Sequence, residues 1–328
     1  MTHPANPTTL EPPPPPEDPH RLGTLTDLRP ADELLCGRLT AAQRGEAGLA
    51  ALPIGRPWDL LTQQTEALLE ELSHVRLMEV AGFEVATPQQ TPHVVRLGAD
   101  AHPLWLGEGV SLTPGVVLDT SNGPIALGPR TQVGAFACLE GPIAYGADGV
   151  VAPHTLLRGP VTAGDWVKLG GEVKGAIIHN YTNKAHFGYL GDSVVGAWCN
   201  LGAGTTVSNL KNTYGPVRMA VHGAERPEPD VPTAFLDTGR QFQGPVLGDY
   251  VRTAIGSRLL TGSAIGTGSC LVLSGFGPKF LRRMRFLTDR GDAAMEPDAM
   301  LTTVRRMRSR RGLELDAVLA ERLRAWMA

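Results

Sequence analysis

Residues 184–209 read KAHFGYLGDSVVGAWCNLGAGTTVSN, one histidine followed closely by glycine, tyrosine and asparagine inside a six-residue repeat. The repeat runs on in both directions. An apolar residue stands at every sixth position at Leu127, Val133, Leu139, Tyr145, Val151, Leu157, Ala163 and Leu169, usually followed by a compact residue such as Gly128, Gly134, Gly146 or Gly164. The pattern recurs upstream at Leu106, Leu112 and Leu118, where TSNGPIA inserts a small loop. It recurs downstream at Val195, Leu201 and Val207, and again at Leu247, Thr253, Leu259, Ile265 and Leu271. A hexapeptide period implies three short strands per coil. The periodic side chain points inward onto the coil below, and small residues let the chain turn each corner. Neighbouring coils then lie about 4.8 Å apart and hydrogen-bond along the solenoid axis. The expected fold is mainly β: a left-handed parallel β-helix with a small helical N-terminal segment and a C-terminal helical extension. That winding runs against the general right-handed crossover preference, so the expectation rests on the period itself.

Composition agrees with a thin solenoid. The chain has 39 Gly, 27 Pro and only 5% aromatic residues, which suits a ladder of Val, Leu and Ile better than a globule built around large rings. A net charge of −3 offers no bulk attraction to nucleic acid or to an anionic membrane, so neither is expected as a partner. Cys36, Cys138, Cys199 and Cys270 are scattered without a CxxC pair, which argues against a zinc ribbon or a disulfide framework. No apolar stretch reaches membrane-spanning length and the first twenty residues lack a hydrophobic centre, so a cytoplasmic location is expected.

Four regions follow. Residues 1–20, with prolines from Pro12 to Pro16, read as an extended tail. Residues 21–100 carry short helical signals, the best being PWDLLTQQTEALLEELSHVRL from Pro57, with Leu60, Leu61, Leu68, Leu69, Leu72 and Val75 on its apolar side. The solenoid is expected over 101–280, interrupted by a loop from Met219 to Pro232. Residues 281–328 are Arg-rich and end in an amphipathic helix from Leu313 to Met327, a suitable cap for an exposed coil end. The tail arginines read as a solvated helix face or a subunit contact.

The candidate chemistry gathers around His186. A histidine titrates near neutrality and so suits a general base. Lys184, Tyr189 and Asn200 fall within one coil of it and Asn209 in the next, at one edge of the solenoid. Glu172 is the nearest candidate for a buried carboxylate that orients the imidazole. Arg158, two coils earlier, offers a planar fork to a phosphate. The Gly202-Ala203-Gly204 backbone allows close approach of a long ligand arm, and Ala203, Gly204 and Arg252 form the candidate cofactor-binding set.

The stretch GGEVKGAIIHNYTNKAHFGYLGDSVVGAWCNLGAGTTVSNLKNTYG resembles the acetyltransferase half of the GlmU family. Those proteins are bifunctional N-acetylglucosamine-1-phosphate uridyltransferase/glucosamine-1-phosphate acetyltransferases. The likeness is greatest to the variant group of GlmU-family sugar nucleotidyltransferases and covers residues of about 104–280. It implies an acetyl-CoA-dependent N-acetyltransferase acting on an amino-sugar phosphate, a homotrimer with the site in an inter-subunit groove, and no metal. Acyl transfer of this kind needs a base for the amine, a donor to the thioester oxyanion and cations for the phosphate. By this resemblance His186 matches the general base, Arg158 a phosphate-binding arginine, Tyr189 and Asn209 sugar-phosphate contacts, and Asn200 a residue at the acceptor amine. Glu172 or Lys174 falls near the family's partner and phosphate residues, with a one-residue gap before His186 leaving the pairing open. Leu210 stands where the bifunctional enzyme has a tyrosine.

In the family a nucleotidyltransferase domain precedes the solenoid. Here LTDLRPADELLCGRLT (Leu25 to Thr40) and the PWDLL helix match pieces of it, and 21–100 reads as a remnant too short for a doubly wound sheet with a nucleotide cleft. Loss of nucleotidyl transfer is the expectation; retention of that activity and a non-catalytic trimeric scaffold are the alternatives. The γ-type carbonic anhydrases put zinc-binding histidines on the same helix, but their same-chain pair lies closer together than His179 and His186.

Overall fold

The computed structural model describes Leu25 and residues 31–87, 91–221, 234–325 and 327. The reading of 1–20 as an extended tail falls outside the described residues. The described residues are mainly β, built on a left-handed β-helix of about ten turns.

Three hexapeptides make one coil, and each coil lays one short strand on each of three faces. On the first face Val117–Asp119, Cys138–Glu140 and the leading part of Leu156–Ala163 stack in parallel, followed by the leading part of Glu172–Ile178 and then Tyr189–Gly191. On the second face the order is Leu104–Gly107, Ile125–Leu127, Ile143–Tyr145, the trailing parts of the two long strands, Val194–Val195, Val246–Leu247, Ala264–Ile265 and Phe280–Leu281. The third face runs from Ser111–Leu112 through Gln132–Val133, Val150–Val151, Lys168–Leu169, Asn183–Lys184, Asn200–Leu201 and Arg252–Thr253 to Cys270–Val272 and Arg285–Thr288. The solenoid thus begins earlier and ends later than 101–280, because Val95–Leu97 already pairs in parallel with Val117–Asp119 and Arg285–Thr288 still pairs with Cys270–Val272.

The hexad residues form one continuous core. Leu127, Leu139, Leu157, Leu169, Val195, Leu247 and Ile265 are each fully buried, stacked rung on rung. Burying such a side chain contributes roughly 1.5–3 kcal/mol, so a polar residue in this ladder has to be compensated. One rung is polar and cationic: Lys184 pairs with Leu169 and is 2% exposed. The hexad phase is lost in the sequence at this coil because the coil is short. Leu169 pairs with Lys184, Val173 with Leu190 and Ile178 with Val195, each fewer than three hexapeptides apart.

At the corner between the second and third faces, Arg130, Asp148, Trp166, Tyr181, Trp198, Tyr250 and Met284 all adopt positive φ, from 54° to 66°. A left-handed residue other than glycine costs roughly 1–2 kcal/mol, and stacking offsets it. Tyr181 and Trp198 lie 4.2 Å apart at 12°, Tyr250 stacks on Trp198 at 6.1 Å, and Arg130 makes a two-point ion pair with Asp148.

The two appendages lie along the flanks. Helix Pro57–Ser73 starts with Pro57, while the Asp59 carboxylate accepts from the amides of Gly55 and Arg56. It packs across the second face, placing Trp58, Leu60 and Leu61 near Ile177, Val194 and Val246, and Leu68 and Leu72 near Trp105, Ala126 and Ala144. Gln64 and Glu71 join the buried side, whereas Val75 is 54% exposed in the next helix, Val75–Val80. Gln64 donates to Thr162 Oγ1 and to the Ala176 carbonyl, locking the helix to the sheet. Between 31 and 100 the described strands are Phe83–Val85, antiparallel to Leu104–Gly107, and Val95–Leu97.

The interruption expected as a loop from Met219 opens as a strand. Arg218–Val221 pairs antiparallel with Ala234–Asp237, and Met219 is buried against the second face. Residues 222–233 fall outside the described set. The C-terminal region also differs from a single helix capping the last coil. Gly291–Ala294 folds back on Arg285–Thr288 and covers that sheet edge, and helices Pro297–Ser309 and Ala317–Ala325 lie along the aromatic corner through Met300, Leu301, Val304 and Leu323. Arg308 sits over Trp198 and Arg311 over Trp166, each at 5.5 Å. No helix among the described residues is long and apolar enough to cross a membrane.

Candidate functional site

The corner between the third and first faces carries His186. In most coils four residues make this turn, as in Gly134-Ala135-Phe136-Ala137 and Gly202-Ala203-Gly204-Thr205. Directly beneath His186 only Gly170 and Gly171 make it. Both must be glycine: a Cβ on Gly170 would stand 2.3 Å from the Ala185 carbonyl oxygen, and Gly171 has φ +75°. The corner column is therefore notched below His186 and resumes above it at Ala203 and Gly204, whose amide donates to the Phe187 carbonyl. His186 and Phe187 are both exposed, Phe187 at 72%.

Around the corner, the outward side of the first face holds a polar cluster. Arg158 and Lys174 are register partners on adjacent coils, as are Glu172 and Tyr189, and alternate residues of one strand share a side. Arg158 is ion-paired with Glu172, each side chain a little over a third exposed. The Lys174 ammonium lies 5.8 Å over the Phe242 ring. Asn209 bridges two neighbours, its Nδ2 donating to Tyr189 Oη at 2.9 Å and to Asp192 Oδ2 at 2.7 Å. Arg240 completes the group, 3.6 Å from Asp192 Oδ1 and donating to Thr62 of the long helix. Burial raises the Asp192 carboxyl above its ordinary range, against the opposing pull of Asn209, Arg240 and Lys174. Burial also raises the Tyr189 phenol, helped by the charges of Asp192 and Glu172. Three cations against two carboxylates leave this surface able to accept an anion.

The structure thus brings Arg158, Glu172, Lys174, Tyr189 and Asn209 together and corrects other parts of the sequence reading. Glu172, expected as a buried carboxylate for the imidazole, is 38% exposed and paired with Arg158, because both project from the same strand side one coil apart. Asn200 is exposed on the third face, in register with Asn183 and Arg252, across the corner from the cluster. Arg252 is partly covered by the C-terminal extension, donating to Met300 Sδ at 3.6 Å. His179 is buried near the aromatic corner, where its ring accepts from the Leu35 amide and bonds the Val195 carbonyl. Lys184 points into the core, not toward a surface groove, and donates to the carbonyls of Gly170 at 2.6 Å and His186 at 2.7 Å. Sequence reasoning misses Asp192, Arg240 and Phe242. Asp192 follows YLG in the quoted stretch and its acid at a corner is a usable signal, whereas Arg240 and Phe242 return to the site only after the long excursion.

Burial lowers the Lys184 ammonium to about 8 from its ordinary 10.5. A base depressed in the folded state leaves the unfolded chain holding more protons between those two limits, so stability rises with pH there. Wild type is therefore expected to gain stability relative to Lys184→Met as pH rises through this window. Urea midpoints at about pH 7 and about pH 10 check it, and a constant difference would contradict it.

Comparisons with known proteins give partial matches. Bifunctional protein GlmU of Methanococcus vannielii is 34% identical over 100 residues, 30% of this chain and 22% of that protein. A bifunctional sugar-1-phosphate nucleotidylyltransferase/acetyltransferase of Sulfurisphaera tokodaii is 34% identical over 95 residues, 29% of this chain and 21% of the relative. Bifunctional protein GlmU of Clostridium perfringens is 35% identical over 104 residues, 32% of this chain and 18% of its own. Among solved structures, the polysialic acid O-acetyltransferase OatWY matches at 12% identity and TM-score 0.33, covering 62% of this chain and 88% of that one. No family model matches the chain. The matched segment spans about a fifth of the length of these curated relatives, and it makes about a third of this chain a GlmU-like region.

Proposed function

We propose that the chain is a hexapeptide-repeat acyltransferase that moves an acetyl group from acetyl-CoA to the nitrogen of an amino-sugar phosphate, with His186 as general base. Its acceptor groove is completed by a second protomer of a homotrimer. The observation that carries this reading is the pairing of an exposed imidazole at a notched corner with a cationic, hydrogen-bonded cluster on the adjoining face. The GlmU-like region supports it.

The chemistry follows from that placement. The imidazole takes a proton as the amine nitrogen attacks the thioester carbonyl. The tetrahedral oxyanion then collapses, breaking the carbon–sulfur bond and releasing the thiolate, which is protonated. Arg158 and Lys174 hold the phosphate, while Tyr189 and Asn209 set the sugar ring. The compact Ala203-Gly204 backbone above His186 lets the pantetheine arm approach. Helix Pro57–Ser73 serves as a brace on the second face.

Thiol release from acetyl-CoA with a panel of amino sugars tests the reading. Phosphorylated acceptors are expected to be preferred, and Arg158→Ala to lower kcat/KM for them by about 10- to 100-fold with less effect on unphosphorylated ones. Absence of turnover across the panel would overturn it, and magnesium-dependent pyrophosphate release from a nucleotide and a sugar phosphate would point to nucleotidyl transfer.

A further inference from the structure

In ordinary coils the third-to-first corner follows one pattern. The carbonyl of its second residue accepts from an amide of the coil above: Ala135 from His154, and Ala203 from Gly256. The residue after it takes positive φ, as Phe136, His154, Gly204 and Gly256 do. His186 occupies that second position, and its corner breaks both rules. The amide above, Gly204 N, donates instead to Phe187 O, and the positive φ moves on to Gly188 at +122°. The His186 carbonyl, left without its ladder donor, turns to Lys184 Nζ at 2.7 Å. The same ammonium holds the Gly170 carbonyl of the two-residue corner below at 2.6 Å.

We infer that Lys184 is the positioning residue of His186: from inside the solenoid its ammonium ties the shortened corner to the displaced one and so fixes the direction in which the imidazole leaves the chain. The placement is costly for a mere filler. Every other described turn of the third face fills this rung with Leu, Val or Thr, and Lys184 is buried in register with Leu169 of the coil below, with two backbone carbonyls as its hydrogen-bond acceptors. A buried ammonium needs full compensation, and here that compensation comes from the two carbonyls that define the corner. Burial depresses its ionisation, yet a neutral amine retains two N–H groups, enough for both carbonyls. The tether therefore survives deprotonation.

The catalytic consequence rests on the reading of His186 as base, but the tether itself does not. Lys184→Met keeps the length and apolar stem and removes the donors. Hydrogen exchange by mass spectrometry on the full chain is expected to show about 10- to 100-fold faster exchange confined to 184–190, with the coils around Leu139 and Ile265 unchanged. Where wild type turns over, kcat is expected to fall at least about tenfold with KM for the acceptor changed less than about threefold. Lys184→Gln, which restores one donor group, is expected to recover part of both effects and supplies the same comparison if the methionine variant does not fold. Unchanged exchange at 184–190, or a rise spread evenly over all coils, would overturn the tether. An inactive wild type would overturn the acyl-transfer reading, with the exchange comparison still deciding the role of Lys184.

Discussion

His186→Ala is expected to lower acyl transfer by about 10²- to 10⁴-fold, the usual contribution of a positioned general base, while leaving the fold and thermal midpoint unchanged. The second half of that expectation comes from the geometry. His186 is exposed at the corner, and its stacking role in the column is carried by backbone, with Gly204 N bonded to Phe187 O. Removing the imidazole therefore deletes chemistry without deleting packing. The rate should fall in kcat and kcat/KM together, because proton removal belongs to the transition state and not to binding. Thiol release measured alongside a melting curve separates the two effects. A variant that keeps wild-type turnover would remove His186 from the mechanism, and a variant that loses turnover only by unfolding would leave its chemistry unassigned to the ring.

The largest stability effect is expected far from that corner, at Arg44. Its guanidinium is 1% exposed and meets Glu71 at 2.5 Å and Glu70 at 2.5 Å, with further bonds to the Ala50 carbonyl. Glu71 is fully buried, accepts from the amides of Arg38 and Leu39, and leaves no room beside it: a Cβ on Gly37 would stand 2.6 Å from its carboxylate. Burial raises the Glu71 carboxyl, and Arg44 and the two amides oppose that rise. Arg44→Met strands this charge, and breaking such a buried pair costs about 3–5 kcal/mol. The loss should shrink as pH falls, since a protonated Glu71 needs no cation. Because a solenoid is held coil by coil, the damage should stay within 31–80. Limited proteolysis is expected to clip that segment and spare the coils. Cooperative loss of the whole chain would instead show that the segment and the solenoid unfold together.

Much of this architecture is legible from one period. Leu127, Leu139, Leu157 and Leu169 can be read as rungs because a coil repeats without reference to distant residues. The phase fails at a coil that falls short of three full hexapeptides, and there Lys184 looks like a surface residue because lysine normally is one. The candidate site is half visible. Arg158, Lys174, Tyr189 and Asn209 lie within a few coils of one another in sequence, so their meeting follows from the repeat. Arg240 and Phe242 reach the same surface after an excursion whose return point no local pattern marks. The pairing of Glu172 with Arg158 is also hidden, since two charges on neighbouring coils prefer each other to a histidine around the corner. The flanking helices show their own periodicity but not their docking faces, which depend on Gln64, Glu71, Arg308 and Arg311, polar residues that a search for apolar stripes passes over.

The ring stack at the second corner also makes the chain its own optical gauge. Trp198 is sandwiched by Tyr181 and Tyr250 and lidded by Arg308, and Trp166 lies under Arg311 of the same C-terminal extension. Whenever that extension lifts, both indoles lose their cationic neighbours at once, so emission colour and quenching follow its docking in native protein without a dye.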